Sequence, residues 1–220
     1  MSVIDDPHLR GLLDGLHAKS DGQIAEIERF RAGQATHPST EDEIKTFRSD
    51  KLVALDRDKA ELCYQLCRAT DARHIVEIGT SFGVSTLYLA ASVRDNIRAG
   101  GGTGMVIGTE YEPAKANAAR AHFAQAGLSD LIDLREGDLR ETLKRVGGPV
   151  DFMLVDIWIA MAYPALELVT PHLRPGAIVV CDNTARFRAD YADYFAFLGS
   201  NGFRTMTLPF DGGLELSIRC

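Results

Sequence analysis

His74-Ile75-Val76-Glu77-Ile78-Gly79-Thr80-Ser81-Phe82-Gly83-Val84-Ser85-Thr86 reads as a buried strand, a glycine-bearing turn and the start of a helix. The run Ile75 to Ile78 is β-branched except for one carboxylate, as suits the middle of a parallel sheet covered on both faces. Gly79 and Gly83 allow a sharp turn and a close approach of backbone to a ligand. The helix that follows, expected over Val84 to Val93, aims its free N–H groups at the same spot, where a carboxylate or polar head group can sit.

Spacing separates the ligands that such a corner can take. A dinucleotide-binding turn needs glycine at its first, third and sixth positions. Counted from Gly79, these hold Gly79, Ser81 and Val84, so the pattern fails. A triphosphate-binding loop needs a Gly-Lys-Ser/Thr ending, and none follows. The acid inside the strand, Glu77, repels a pyrophosphate and suits a ligand carrying an ammonium and a sulfonium. The alternative is a corner whose glycines serve packing alone.

At 220 residues the chain has room for one sizeable α/β domain and a short extension. A formal charge of -7, without clustered Lys and Arg, argues against a nucleic-acid partner. The sequence has no apolar run of membrane-spanning length, and Asp5 and Asp6 interrupt any signal-peptide pattern, so a cytoplasmic protein is expected. Cys63, Cys67, Cys181 and Cys220 lack paired metal spacing, and the six histidines are scattered.

Residues 1–70 read as an N-terminal helical extension that covers a cleft or makes a dimer contact. Leu9, Leu12, Leu13 and Leu16 recur at helical spacing, as do Ile24, Ile27 and Phe30 before Gly33 and Pro38. Thr40 with Glu43 forms a capping box, and Asp56 or Asp58 is expected to cap a helix running through Cys67. Arg98 to Gly104 is expected to be a mobile loop. A second strand, Met105 to Thr109, ends at Glu110, whose carboxylate either accepts from two ribose hydroxyls or faces water. A helix opens at Pro113. A third strand, Leu131 to Leu134, leads to Gly137-Asp138, where the acid either reaches an adenine amino group or caps a helix over Leu139 to Val146.

Two further apolar runs, Val150 to Asp156 and Ala177 to Asn183, end in acids, the second after an expected turn at Arg174-Pro175-Gly176. Asp156, Asp182 and Asn183 either supply oxygen ligands to a hard cation such as Mg²⁺ or cap the helices that follow. The chain finishes with a helix over Tyr191 to Gly202 and a hairpin of Phe203 to Leu208 with Leu214 to Ile218.

As a set, the segments Glu77 to Thr86, Glu136-Gly137-Asp138, Leu154-Val155-Asp156 and Cys181-Asp182-Asn183 resemble the class I S-adenosylmethionine-dependent O-methyltransferases of the catechol and caffeoyl-coenzyme A type. The resemblance covers about residues 50–220. It implies a Rossmann-like α/β fold, with a seven-stranded, mostly parallel sheet and an antiparallel last strand beside the N-terminal helical layer, and residues 71–220 as the methyltransferase domain. It further implies S-adenosyl-L-methionine as donor, a small-molecule hydroxyl acceptor, a divalent cation and a homodimer. Carried over by position, Glu77, Gly79, Thr80, Ser81, Gly83 and Ser85 line the methionine end, Glu110 the ribose and Asp138 the adenine, with Trp158 beside the adenine. Asp156 faces both cofactor and metal, Asp182 and Asn183 complete the metal set, and Asp156 and Asn183 carry catalysis. One position departs from the family. Where a lysine commonly takes the hydroxyl proton, this chain has Ile159. That leaves metal-assisted transfer, a base from elsewhere such as His37 or Lys51, or a cofactor-binding protein without turnover. The acceptor's walls are expected from the N-terminal layer, Ile157 to Tyr163, and the loop after Asn183, where Arg186 and Arg188 meet an acidic substrate or water.

Overall fold

The computed structural model describes residues 3–34 and 36–220, Glu41 by its backbone alone. Seven strands form one sheet: β1 (His74–Ile78), β2 (Met105–Glu110), β3 (Ile132–Glu136), β4 (Val150–Val155), β5 (Leu173–Asp182), β6 (Phe203–Leu208) and β7 (Leu214–Arg219). Their order is β3-β2-β1-β4-β5-β7-β6, with β7 antiparallel to both of its neighbours. The helices are α1 (Pro7–Asp21), α2 (Ile24–Gln34), α3 (Glu41–Arg48), α4 (Arg57–Ala69), α5 (Val84–Gly100), α6 (Pro113–Gln125), α7 (Leu139–Thr142), α8 (Ile159–Val169) and α9 (Ala192–Ser200). Among the described residues no helix is long and apolar enough to cross a membrane.

Side-chain alternation along the strands makes two cores. Ile75, Val106, Phe152, Leu154, Ile178 and Val180 face one way and pack with Leu9, Leu13 and Leu16 of α1, Cys63 and Cys67 of α4, and much of α5. Val76, Ile78, Ile107, Met153, Val155, Val179 and Cys181 face the other way, against α8 and α9. The N-terminal helices α1 and α4 therefore bury their apolar stripes in the same core as α5. The parity extends to the strand tips. Glu77 continues the face of Ile75, Asp156 that of Phe152 and Leu154, and Asp182 that of Ile178 and Val180. Three acids on adjacent strands thus share the face covered by α4 and α5.

Several local expectations change. Helix α5 runs on to Gly100, because Asn96 is buried and its amide donates to the carbonyls of Cys67 and Ala72, while Gly101 N–H donates to Ile97. The loop shrinks to residues 101–104, and Arg73 reaches from β1's entry to the carbonyls of Asn96 and Gly101. Arg174-Pro175-Gly176 lies within β5, beside a register shift between Val150 and Phe152, rather than before the strand. The helix after Asp138 breaks after one turn into a 3-10 turn over Leu143–Arg145. The capping box of α3 forms as read, with Glu43 N–H donating to Thr40 Oγ1 and Thr40 N–H to Glu43 Oε2.

Candidate functional site

Gly79 leaves β1 at φ +93°, and a Cβ there would collide with the carbonyl oxygen of Asp156. The tips of β1 and β4 therefore touch main chain to main chain, and Asp156 N–H donates to Ile78 O at 3.0 Å. Ser81 follows at φ +51° and Gly83, the N-cap of α5, at φ +82°. No side chain caps α5, so its first N–H groups point into the turn.

Glu77 is wholly buried and accepts from three hydroxyls: Ser85 Oγ at 2.6 Å, Thr80 Oγ1 at 3.0 Å, and Thr86 Oγ1. Burial pushes its carboxyl above the ordinary range, and the hydroxyls oppose that shift. Its strand partner is Gly108, where a Cβ would meet Thr80 Oγ1, so the bare glycine makes room for this nest. Glu77, Thr80 and Ser85 thus spend their polar atoms on one another and shape the turn from beneath. Glu110 does face the turn: Oε2 accepts Ser81 N–H at 2.7 Å and Oε1 accepts Glu112 N–H at 2.8 Å. Each carboxylate oxygen has a second lone pair for a ligand hydroxyl.

Asp138 caps α7 through Arg140 N–H at 2.9 Å and is also held by the Arg140 guanidinium, which keeps its carboxyl down at about 2. That bond set meets the capping reading. Trp158 is 53% exposed, and the Arg48 guanidinium of α3 stacks over its ring at 4.9 Å. One turn earlier in the same helix, Lys45 lies over the Tyr111 ring at 5.1 Å and 3.8 Å from Glu112. Helix α3 therefore straps the tips of β2 and β4, the strands flanking β1, and among its described side chains none is buried.

The acids at the tips of β4 and β5 form the electrostatic centre. Burial first, then the charges of Asp182 and Glu77, push the Asp156 carboxyl up to about 8. Asp182 is raised by burial and lowered by Lys59. Lys59 Nζ lies 2.7 Å from Asp182 Oδ1 and 2.8 Å from Asp56 Oδ2. Asn183, in the left-handed region at φ +61°, turns its side-chain amide onto Asp182 Oδ2 at 2.6 Å. Neither Asp156 nor Asp182 caps a helix: α8 has Trp158 at its N-cap and α9 has Tyr191. Two carboxylates and an amide are donor types that suit a hard cation, and they stand beside the Lys59 ammonium already paired with Asp182.

Lys59 went unnoticed in the sequence. Its signal was a lysine on the apolar stripe of α4, spaced with Cys63 and Cys67. Asp56, expected as the cap of that helix, makes no capping bond and spends its carboxylate on Lys59 instead. The two bases suggested from the N-terminal layer lie elsewhere. His37 is exposed beside Thr36, and Lys51 pairs with Asp50 and Glu26, whose hydrogen bonds raise its pKa. Ile159, the first residue of α8, packs against the second core. Arg186 pairs with Asp211 at the surface, and Arg188 covers the Phe195 ring near Glu215.

Residues 76–184 match a family model described as a methyltransferase domain. A catechol O-methyltransferase of Mycobacterium tuberculosis is 31% identical over 135 residues, 61% of this chain and 58% of the relative. One from Niastella koreensis is 29% identical over 57% of this chain and 54% of its own. The chain thus spans little more than half the length of these curated relatives. An O-methyltransferase from Bacillus cereus, solved in complex with SAH, superposes with a TM-score of 0.71 at 19% identity, covering 99% of this chain and 93% of that one. The fold expected from the sequence, a mostly parallel seven-stranded sheet with a reversed last strand, is the fold observed.

Proposed function

With residues 76–184 carrying a methyltransferase domain as premise, we propose that the chain transfers a methyl group from S-adenosylmethionine to a hydroxyl of a small molecule, with a divalent cation assisting. The observation that carries this reading is the placement of Glu77, Asp156 and Asp182 on one sheet face beside the Gly79–Gly83 turn. When bound, the donor supplies an electrophilic methyl on a sulfonium, and the cation lowers the pKa of the acceptor hydroxyl.

The chain's own residues do the rest. Glu110 and the free N–H groups of α5 orient the nucleoside and the amino-acid end. With a sulfonium and a cation bound, Asp156 would ionise and present negative charge toward the sulfonium. Asp156, Asp182 through Oδ2, and Asn183 through its amide oxygen would hold the cation. The strand tips would fix the acceptor oxygen's line of approach, which is where most of the acceleration in such a transfer arises. With Ile159 unable to accept a proton, the hydroxyl proton leaves to solvent. A second reading, cofactor binding without turnover, is favoured by Ile159 alone.

Calorimetric titration with S-adenosylhomocysteine, followed by turnover on a panel of catechols and phenols with and without chelator, tests the reading. Saturable binding with chelator-sensitive methylation supports it. Binding without methylation of any acceptor leaves the second reading, and no binding removes both.

The strap formed by α3 has its own expected outcome. Two cation–π contacts of about 0.5–1 kcal/mol each hold it. Replacing Lys45 and Arg48 together by Ala should raise the dissociation rate of S-adenosylhomocysteine about 5- to 30-fold in a stopped-flow chase. An unchanged rate would show that α3 does not cover the ligand.

A further inference from the structure

Lys59 stands on the first turn of α4, on the face that also buries Cys63 and Cys67. Its side chain is only 2% exposed, so it does not itself front the cleft. It grips Asp182 by Oδ1, while Oδ2 lies against the Asn183 amide. Asp182 is thereby held at both oxygens, Oδ1 by the ammonium and Oδ2 by the Asn183 amide N–H, and a second lone pair on Oδ2 is what it can offer a ligand. Asp56, 53% exposed, anchors the other side of the same ammonium.

We propose that Lys59 is a positioning residue for the cation site: it holds Asp182 by Oδ1 so that the remaining lone pair of Oδ2, beside Asn183, faces a divalent ion. The inference rests on the metal-assisted reading above. Partners that orient a ligating carboxylate typically matter about 10- to 100-fold in metal affinity. A buried ion pair is weak support for stability in itself, since desolvation offsets most of the attraction. Lys59 is therefore better explained by what it does to Asp182 than by what it adds to the fold. It also brings α4, from the N-terminal layer, into a site otherwise built on strand tips.

The test uses Mn²⁺ as probe, read by the electron paramagnetic resonance signal of the free ion, with S-adenosylhomocysteine present and no acceptor. Lys59→Met should weaken Mn²⁺ binding about 10- to 100-fold, with S-adenosylhomocysteine affinity changed less than about threefold. Lys59→Gln keeps an N–H donor toward Asp182 and serves where the Met variant folds poorly; its loss should be smaller, about 3- to 10-fold. If wild type and both variants bind Mn²⁺ alike, Lys59 is a structural pair only and the inference is overturned, with the metal-assisted reading intact. If wild type binds no Mn²⁺ yet methylates in chelator, the ammonium itself serves as the site's cation, which overturns the inference together with the metal half of the reading. Absence of S-adenosylhomocysteine binding to wild type removes the donor assignment and the inference with it.

Discussion

Gly79→Ala should cost the protein about 3–5 kcal/mol of stability and abolish S-adenosylhomocysteine binding at concentrations that saturate the wild type. Two effects add. The residue sits at φ +93°, where any Cβ is strained, and that Cβ would drive into the Asp156 carbonyl, a main-chain atom that cannot swing aside. The only relief is to part the tips of β1 and β4, which carry Asp156 and the turn into α5. Gly127 is the control, since its φ is +65° but nothing lies within 4 Å of a Cβ built there. Gly127→Ala should lose only about 1–2 kcal/mol and leave binding unchanged. Urea denaturation and calorimetry read both variants. Equal losses at the two positions would mean that left-handed strain, not the contact between strand tips, makes Gly79 necessary.

That contact also marks how far the sequence could be read. The tips of β2, β4 and β5 are legible because each is an apolar run finishing at Glu110, Asp156 or Asp182, and a buried run has little reason to end so unless a charge awaits it. Alternation then assigns faces: Glu77, Asp156 and Asp182 fall on one side by counting in twos. What counting could not supply was a partner from far along the chain. Lys59 meets Asp182 across 123 positions, and no local rule pairs a first-turn lysine with the end of the fifth strand. The roles of Asp56, Asp138 and Lys51 turned on neighbours for the same reason. Each was a plausible cap, ligand or base, and a nearby opposite charge decided it. Residues 98–100 were misread in the other direction. They belong to the stretch Arg98 to Gly104, whose four glycines suggest a loop, but a buried Asn96 with two carbonyl partners holds the preceding turn helical and extends α5. The strap is a further case, because Arg48 and Trp158 attract each other only once α3 has been folded over the sheet.

Asp156→Asn should separate stability from activity. In the ligand-free protein, burial and the like charges of Asp182 and Glu77 raise the Asp156 carboxyl to about 8 from its ordinary value of 3.8. A carboxyl whose pKa is higher folded than unfolded favours the fold when protonated, and that contribution drains away as pH climbs from the ordinary carboxylate range through about 8. Asparagine has the same shape and no proton to lose. The variant should therefore be more stable than wild type at pH 8 by about 1–3 kcal/mol, and the gain should shrink toward pH 5. Methyl transfer should meanwhile fall about 100-fold or more, because the neutral amide offers the sulfonium and the cation no charge. Saturating S-adenosylhomocysteine with Mg²⁺ should narrow the stability gap, since ligands that bind wild type more tightly stabilise it more. Denaturation at the two pH values, with and without those ligands, measures each limb. A variant less stable than wild type at pH 8 would mean that Asp156 has a cationic partner within the protein strong enough to outweigh its like-charged neighbours, and a variant that still transfers methyl groups at the wild-type rate would remove Asp156 from the site.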